Sequence, residues 1–435
     1  MDAVEKARKA QRQKAKKMNN DDENVIYTSF FENDTHILEQ VASHASLASH
    51  QTDTNVFVQY DKRTGEIDKI FKYVDEEKTI KPAMEDLVRD KASYLPSGVE
   101  NYGETQDLVK EIKEYFNKYF EAPKEFEKLL PYYTLFTWVY DKFPSIPYLH
   151  FMGLTGTGKT TAAEVVTSIC YKGIDAAGSI TIASIFRLAD QWRGTLFMDE
   201  FDLNNFGQES YKAALSFLKA GVSDKSLFRV EGEKKRSVTA YKVKSPKIFT
   251  SETPISDAGL QSRTIVIKMN RNKRVLPLYR LDDYHTQGEH LRNKLLKWRL
   301  DHLDKINLKD IEHGFTELSK VDRRVQQIVT PIYYLSDEKT RKGIFEFVKE
   351  QEAETKRQRR ESYDGAIFGH IFDYYEKEHS QPPLKYVTEQ LNEEREAIGY
   401  KTKTSEKKVG EIVRKVLGFE IKRQTHEYIS IIQVE

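Results

Sequence analysis

Gly153-Leu154-Thr155-Gly156-Thr157-Gly158-Lys159-Thr160 has the spacing G-x-x-x-x-G-K-[ST], which holds phosphate. The glycines let backbone N–H groups turn inward around phosphate oxygens, and the N-terminus of the following helix adds positive potential. Lys159 reaches the β- and γ-phosphates, Thr160 offers its hydroxyl to magnesium, and Thr161 ends the nucleotide-binding stretch. The plain alternative is a glycine-rich turn without a ligand. Hydrolysis needs a second, acidic strand, and Gly194-Thr195-Leu196-Phe197-Met198-Asp199-Glu200 supplies one. Asp199 holds magnesium through water and Glu200 polarises the attacking water. Phosphoryl transfer is mostly positioning and charge stabilisation, so these few groups suffice. ATP and Mg2+ are therefore the expected substrate and cofactor.

Two further stretches fit the same chemistry. Ser245-Pro246-Lys247-Ile248-Phe249-Thr250-Ser251-Glu252 predicts a central strand with a polar tip lying between the two earlier strands. Ser251 is the expected group for orienting the lytic water, with Thr250 and Glu252 as close alternatives. Asp257-Ala258-Gly259-Leu260-Gln261-Ser262-Arg263 precedes an apolar strand, Thr264-Ile265-Val266-Ile267. An arginine there can reach a neighbouring subunit's γ-phosphate, a contribution of about 10³ to 10⁵ in rate where it occurs. A surface salt bridge is the bland alternative.

These groups need a frame. Ile146-Pro147-Tyr148-Leu149-His150-Phe151 is a short buried strand feeding the glycine loop, and Thr160 to Cys170 continues as a helix. From about 145 to 268 strand and helix alternate, as in a parallel α/β sheet with helices on both faces. Apolar residues recur at helical spacing through 104–142, and 275–355 is mostly helical. Residues 353–362 are polar and charged, a helix extension or a linker. Upstream, Val25 to Phe31 is a candidate strand, and Val56 to Tyr60 and Ile67 to Val74 flank a turn at Asp61 to Gly65, a hairpin signature. The charged stretch 1–23 is expected to be a solvated helix or tail, a nucleic-acid arm being the other option. The domains expected are an N-terminal module (1–95), an ATPase core with preceding helices (96–270), a helical lid (271–355) and a C-terminal domain (363–435). That last domain predicts three helices, with Ser405 capping the third, and a terminal hairpin. This is a winged-helix pattern. Lys407, Lys408 and Arg414 suit nucleic-acid backbone, or simply the solvated helix face.

The ordered set 153–160, 198–200, 250–252 and 260–263 resembles the AAA+ ATPases. Within them it is similar to the replicative-helicase branch, most of all minichromosome maintenance (MCM) type helicases and their relatives in mobile elements. The branch rests on an insertion: Ser226 to Glu231 and Ser237 to Val243 are β-runs around a polar tip with Lys234, Lys235 and Arg236. In that branch a hairpin at this point grips DNA, and the basic tip suits phosphate contacts. An exposed charged turn is the alternative. The resemblance implies a hexameric homo-oligomer with ATP between subunits, unwinding DNA for a plasmid, virus or other mobile element. Rival readings are an initiator or loader without processive unwinding, and a nucleotide-switched DNA-binding regulator. It also implies a lid arginine near the nucleotide, at Arg323 or Arg324, a plain salt bridge within the lid being the alternative. Two departures stand out. The family's tip asparagine is absent, Ser251 and Glu252 standing there, and the N-terminal region has no zinc-binding cysteines.

Composition narrows the class. The 435 residues carry a net charge of only +1, which weakly disfavours a uniformly basic surface but permits local basic patches. One cysteine, Cys170, excludes a disulfide framework or a cysteine zinc site within the chain. No apolar run reaches ~18 residues, and the N-terminus lacks an apolar leader region, so a cytoplasmic protein without a membrane partner is expected.

Overall fold

The computed structural model describes residues 24–43, 54–90, 92–175, 182–201, 208–231, 237–255, 257–277, 281–307, 309, 316–397, 402–424 and 429–434. By its contacts the chain divides into two units, Met1–Phe345 and Glu346–Glu435.

Unit one begins with two small sheets. β1 (Val25–Thr28), β2 (Phe30–Glu32), β3 (His36–Ser43), β4 (Thr54–Asp61), β5 (Ile67–Ile70), β6 (Tyr73–Asp75) and β7 (Lys78–Pro82) sort into the orders β1-β7-β6 and β2-β3-β4-β5. The single strand expected over 25–31 breaks at Ser29, and its halves join different sheets. The cause is burial: the Ser29 hydroxyl donates to the Trp192 carbonyl at 2.6 Å, and its own carbonyl accepts from Gln40 N at 3.1 Å. The run over 67–74 splits in the same way between β5 and β6.

A short helix α1 (Glu85–Arg89) leads to β8 (Ser93–Tyr94), then α2 (Thr105–Tyr119) and α3 (Phe126–Thr137). The central elements follow: β9 (Tyr148–Met152), α4 (Lys159–Ile169), β10 (Gly173–Asp175), α5 (Ile182–Arg187), β11 (Leu196–Met198), α6 (Gln208–Ala220), β12 (Ser226–Glu231), β13 (Ser237–Lys242), β14 (Lys247–Ser251), α7 (Ala258–Gln261) and β15 (Thr264–Lys268). Their main sheet has the order β15-β9-β14-β11-β10-β8, parallel except for the antiparallel edge strand β8. The core is thus α/β. Central strands covered on both faces read as continuous apolar runs, and every residue of β14 is buried.

α8 (Leu281–His302) and α9 (Arg323–Leu335) continue unit one, and α10 (Glu338–Glu361) runs across the division. A buried ion cluster ties the N-terminal strands to the core and to α8. Glu39 on β3 is 1% exposed and receives Arg299 Nε at 2.6 Å, Lys172 Nζ at 3.0 Å and the Tyr171 hydroxyl at 2.9 Å. Arg299 also grips Asp141 with two nitrogens at 2.9 and 2.8 Å. Burial pushes the Lys172 ammonium down to about 8, against the pull of Glu39.

Unit two holds α11 (Tyr363–Glu378), α12 (Leu384–Ala397), α13 (Glu406–Lys415) and the antiparallel pair β16 (Glu420–Gln424) and β17 (Ile429–Gln433). Ile367, Ile371, Val387, Leu391, Val409, Val413 and Ile432 form its core. The Ser405 side chain accepts from Lys408 N, capping α13. Gly410 lets α13 approach α12 closely: a Cβ there would lie 3.2 Å from Leu384 Cδ2. Among the described residues no helix is long and apolar enough to cross a membrane.

Candidate nucleotide site and nucleic-acid hairpin

The glycine loop joins β9 to α4. Gly156 and Gly158 take φ of +80° and +79°, which side-chain-bearing residues rarely adopt. Gly153 is needed for a close approach: a Cβ would meet the Met269 carbonyl and Thr157 Oγ1, each at 2.7 Å. Thr157 closes the turn by donating to the Leu154 carbonyl at 2.8 Å. Lys159, nearly buried, starts the helix, and Thr160 and Thr161 follow in its first turn.

β14 lies between β9 and β11, so the tips of all three strands meet. There Thr160 Oγ1 donates to Asp199 Oδ1 at 3.1 Å. Thr250 on β14 binds both residues of the acidic pair: its hydroxyl donates to Asp199 Oδ1 and accepts from Glu200 N at 2.9 Å. The Thr250 carbonyl accepts from Phe201 N at 2.8 Å. The chain turns sharply here, and Glu200 sits at φ +47° with its side chain exposed. Backbone in this region is strained for a non-glycine residue and persists where neighbours hold it.

At this tip the structure separates Thr250 from Ser251, the group expected to orient the lytic water. Side chains alternate along a strand, so Thr250 and Ser251 face opposite ways. Thr250 faces Asp199. The Ser251 hydroxyl donates to the Thr253 carbonyl and accepts from the buried His150 ring at 2.7 Å, which puts the ring proton on Nε2. Burial lowers His150 to about 4, so the ring is neutral. Glu252, one residue on, turns back to the glycine loop. Its carboxylate accepts from Thr155 Oγ1 and lies 3.9 Å from Lys159 Nζ.

A segment beyond β15 borders the loop on the other side. Glu121 accepts from Lys273 N at 2.7 Å and Arg274 N at 3.3 Å, and Arg274 donates to the Asn117 carbonyl at 3.1 Å. This fixes 269–274 beside the loop. Gly153, Thr155, Glu252, Asn270 and Arg271 line a cavity of about 380 Å³.

Arg263 lies at the far end of the sheet. Its carbonyl accepts from Tyr148 N at 3.0 Å, at the start of β9, whereas Gly153 follows the end of β9. Its guanidinium donates to the Gly259 carbonyl of its own chain. Arg323 and Arg324 are exposed in the first turn of α9, which Asp322 caps by accepting from Arg324 N at 2.9 Å. Among the described residues no hydrogen bond or ion pair joins either arginine to the glycine loop.

β12 and β13 pair antiparallel from Ser226↔Lys242 to Glu231↔Ser237. Lys234, Lys235 and Arg236 lie outside the described residues, as does the stretch 1–23. One face of the ribbon is anchored: Tyr241 is buried and Arg229 lies 4.5 Å over the Phe186 ring. Lys242 N donates to Asp190 Oδ1 at 2.8 Å. The other face is bare, with Phe228 and Val238 each 70% exposed. On α13, Lys407 and Arg414 are exposed, and Lys408 lies 5.7 Å over the Tyr363 ring. Cys170 is buried, and burial pushes its thiol up to about 12, which suits an inert core residue.

Thr160, Asp199 and Thr250 offer hard oxygen donors, which suit magnesium that keeps water and phosphate as its other ligands. Thr250's service to both acidic residues was hidden in the sequence, because it depends on the register Met198↔Phe249.

No family model matches this chain, and no curated protein does. Among solved structures, the C-terminal region of NrS-1 aligns over 92% of this chain and 96% of that one, at 14% identity and a TM-score of 0.39. A full-length MCM homolog from Methanopyrus kandleri aligns over 74% of each chain, at 14% identity and a TM-score of 0.38. The JCV helicase aligns over 57% of this chain and 60% of that one, at 12% identity and a TM-score of 0.24. At such identities and TM-scores, the function rests on this chain's own residues.

Proposed function

We propose that this chain is an ATP-hydrolysing motor of the AAA+ type that moves on DNA, assembled as a ring of identical subunits, a hexamer by the family resemblance. One observation carries the reading: Lys159, Thr160, Asp199, Glu200 and Thr250 converge at one end of the central strands, while Arg263 stands at the other. A head-to-tail ring brings the second end of one subunit to the first end of the next.

Within the site, the loop N–H groups and Lys159 hold the β- and γ-phosphates. Thr160 and Asp199 hold magnesium, which neutralises charge on the phosphates when bound. Thr250 fixes Asp199 and the backbone of Glu200, so Glu200 is aimed to polarise the attacking water. A neighbour's Arg263 stabilises charge developing on the γ-phosphate. The β12–β13 ribbon, with its basic tip residues 234–236 and exposed Phe228, is the element offered to nucleic acid. Phosphate contacts and stacking are the two ingredients of sequence-tolerant single-strand binding. Unit two is proposed as a winged helix, with α13 and its Lys407 and Arg414 facing DNA backbone.

The test is strand displacement on a forked duplex with MgATP. Unwinding that requires ATP and disappears in Lys159→Ala supports the motor. Hydrolysis without displacement makes the chain a remodeller or loader. Slow turnover indifferent to DNA makes it a nucleotide-controlled switch.

A further inference from the structure

Glu252, the residue just past β14, has a partner in the glycine loop itself. Its carboxylate accepts from Thr155 Oγ1 and faces Lys159 Nζ at 3.9 Å. Those groups attract phosphate oxygens for the same reason that they attract a carboxylate: one hydroxyl donor and one ammonium. The Thr155 hydrogen bond, assisted by Lys159, holds Glu252 below the usual carboxylate range, so it stays anionic at neutral pH.

We propose that Glu252 is an internal competitor for the phosphate cradle, an anion that ATP must displace to bind. The inference rests on the nucleotide-site reading above and adds a regulatory residue to it. Displacement is easy by construction. The Glu252 side chain is 51% exposed, so it can turn into water. The cavity it lines also contains Lys268 and Arg271, cationic side chains on the far side of the loop. The contest is therefore mild. Exposed ion pairs are weak, and a competing internal state lowers apparent affinity by the fraction of time it holds the site. Release of Glu252 couples nucleotide arrival to the β14 tip, the same tip whose Thr250 holds Asp199 and Glu200.

The experiment is equilibrium binding of fluorescent ADP to the full chain, with unlabelled ATPγS and inorganic pyrophosphate as competitors. Glu252→Gln keeps the shape and removes the charge. Glu252→Asp keeps the charge and withdraws it from Thr155. Glu252→Gln is expected to tighten ATPγS and pyrophosphate alike by about three- to tenfold. Glu252→Asp is expected to tighten both by a smaller factor. Unchanged or weaker binding in Glu252→Gln overturns the proposal. So does a gain in Glu252→Gln with none in Glu252→Asp, which reports plain charge repulsion. A gain for ATPγS without one for pyrophosphate overturns it too. Lys159→Ala separates the two levels: if it binds ADP like the unaltered chain, the nucleotide site itself is wrong. If it abolishes binding while both Glu252 variants match the unaltered chain, only the competitor is wrong.

Discussion

Arg263 gives the sharpest prediction about assembly. Its carbonyl pairs with Tyr148 N at the start of β9, and the glycine loop begins after Met152 at the other end. The four strand steps between them cover roughly 13 Å at about 3.3 Å each, before the loop itself is crossed. One side chain does not span that distance along its own sheet, and the Arg263 guanidinium is already turned to Gly259. If Arg263 acts on the γ-phosphate, it acts on a neighbour's. Arg263→Ala and Glu200→Gln should each lower steady-state ATP turnover by about 10³-fold or more. Mixed one to one and allowed to exchange, they should recover. About a quarter of head-to-tail interfaces in a random mixture unite an intact Glu200 with an intact Arg263. The mixture should then turn over within an order of magnitude of the unaltered protein, hundreds of times faster than either parent. A mixture no faster than the mean of its parents would refute the trans placement, because an arginine acting within its own subunit leaves every site defective.

Other predictions follow from the same contacts. Thr250→Val removes the hydroxyl shared by Asp199 and the Glu200 backbone, and should lower kcat by about 10- to 100-fold with little change in ADP affinity. Equal loss in Ser251→Ala would reverse the assignment of roles at that tip. His150 is neutral in the fold, with its pKa pushed from 6.5 to about 4. The unfolded chain therefore takes up a proton below pH 6.5 that the folded chain refuses until about pH 4. The stabilisation is complete above pH 6.5 and is lost as pH falls toward 4, by up to ~3 kcal/mol. Urea titrations at pH 7 and 4.5 should show a drop that Glu- and Asp-driven effects share but that shrinks in His150→Asn. Glu39→Ala leaves Lys172 and Arg299 buried without their common carboxylate and should cost roughly 3–5 kcal/mol in urea unfolding. A loss under 1 kcal/mol would mean that the cluster is not coupled.

What the sequence revealed was local, and what it hid was long-range. The loop 153–160 and the strand ending at Asp199-Glu200 each announce themselves by spacing, and β12 and β13 by alternation around a polar tip. Thr250 and Ser251 could not be ranked from residue type, because neighbours on a strand differ only in which face they take. The face is set by pairing with β9 and β11, not by residue type. β8 is two residues long and carries no periodicity, yet it closes the edge of the main sheet. The Glu39–Lys172–Arg299 cluster joins residues far apart in the chain, each of which alone resembles ordinary surface charge. The breaks at Ser29 and between Ile70 and Tyr73 were hidden for the same reason, since an apolar run does not record a change of sheet partner.

The proposed motor turns over ATP in response to nucleic acid. Steady-state ATP hydrolysis with and without single-stranded DNA tests it directly, in the unaltered protein, in Lys159→Ala and in a variant with Lys234, Lys235 and Arg236 all replaced by Ala. The expected result is hydrolysis that DNA accelerates, none in Lys159→Ala, and basal hydrolysis without acceleration in the triple variant. Hydrolysis that survives Lys159→Ala, or a rate in the unaltered protein that DNA leaves unchanged, would contradict it.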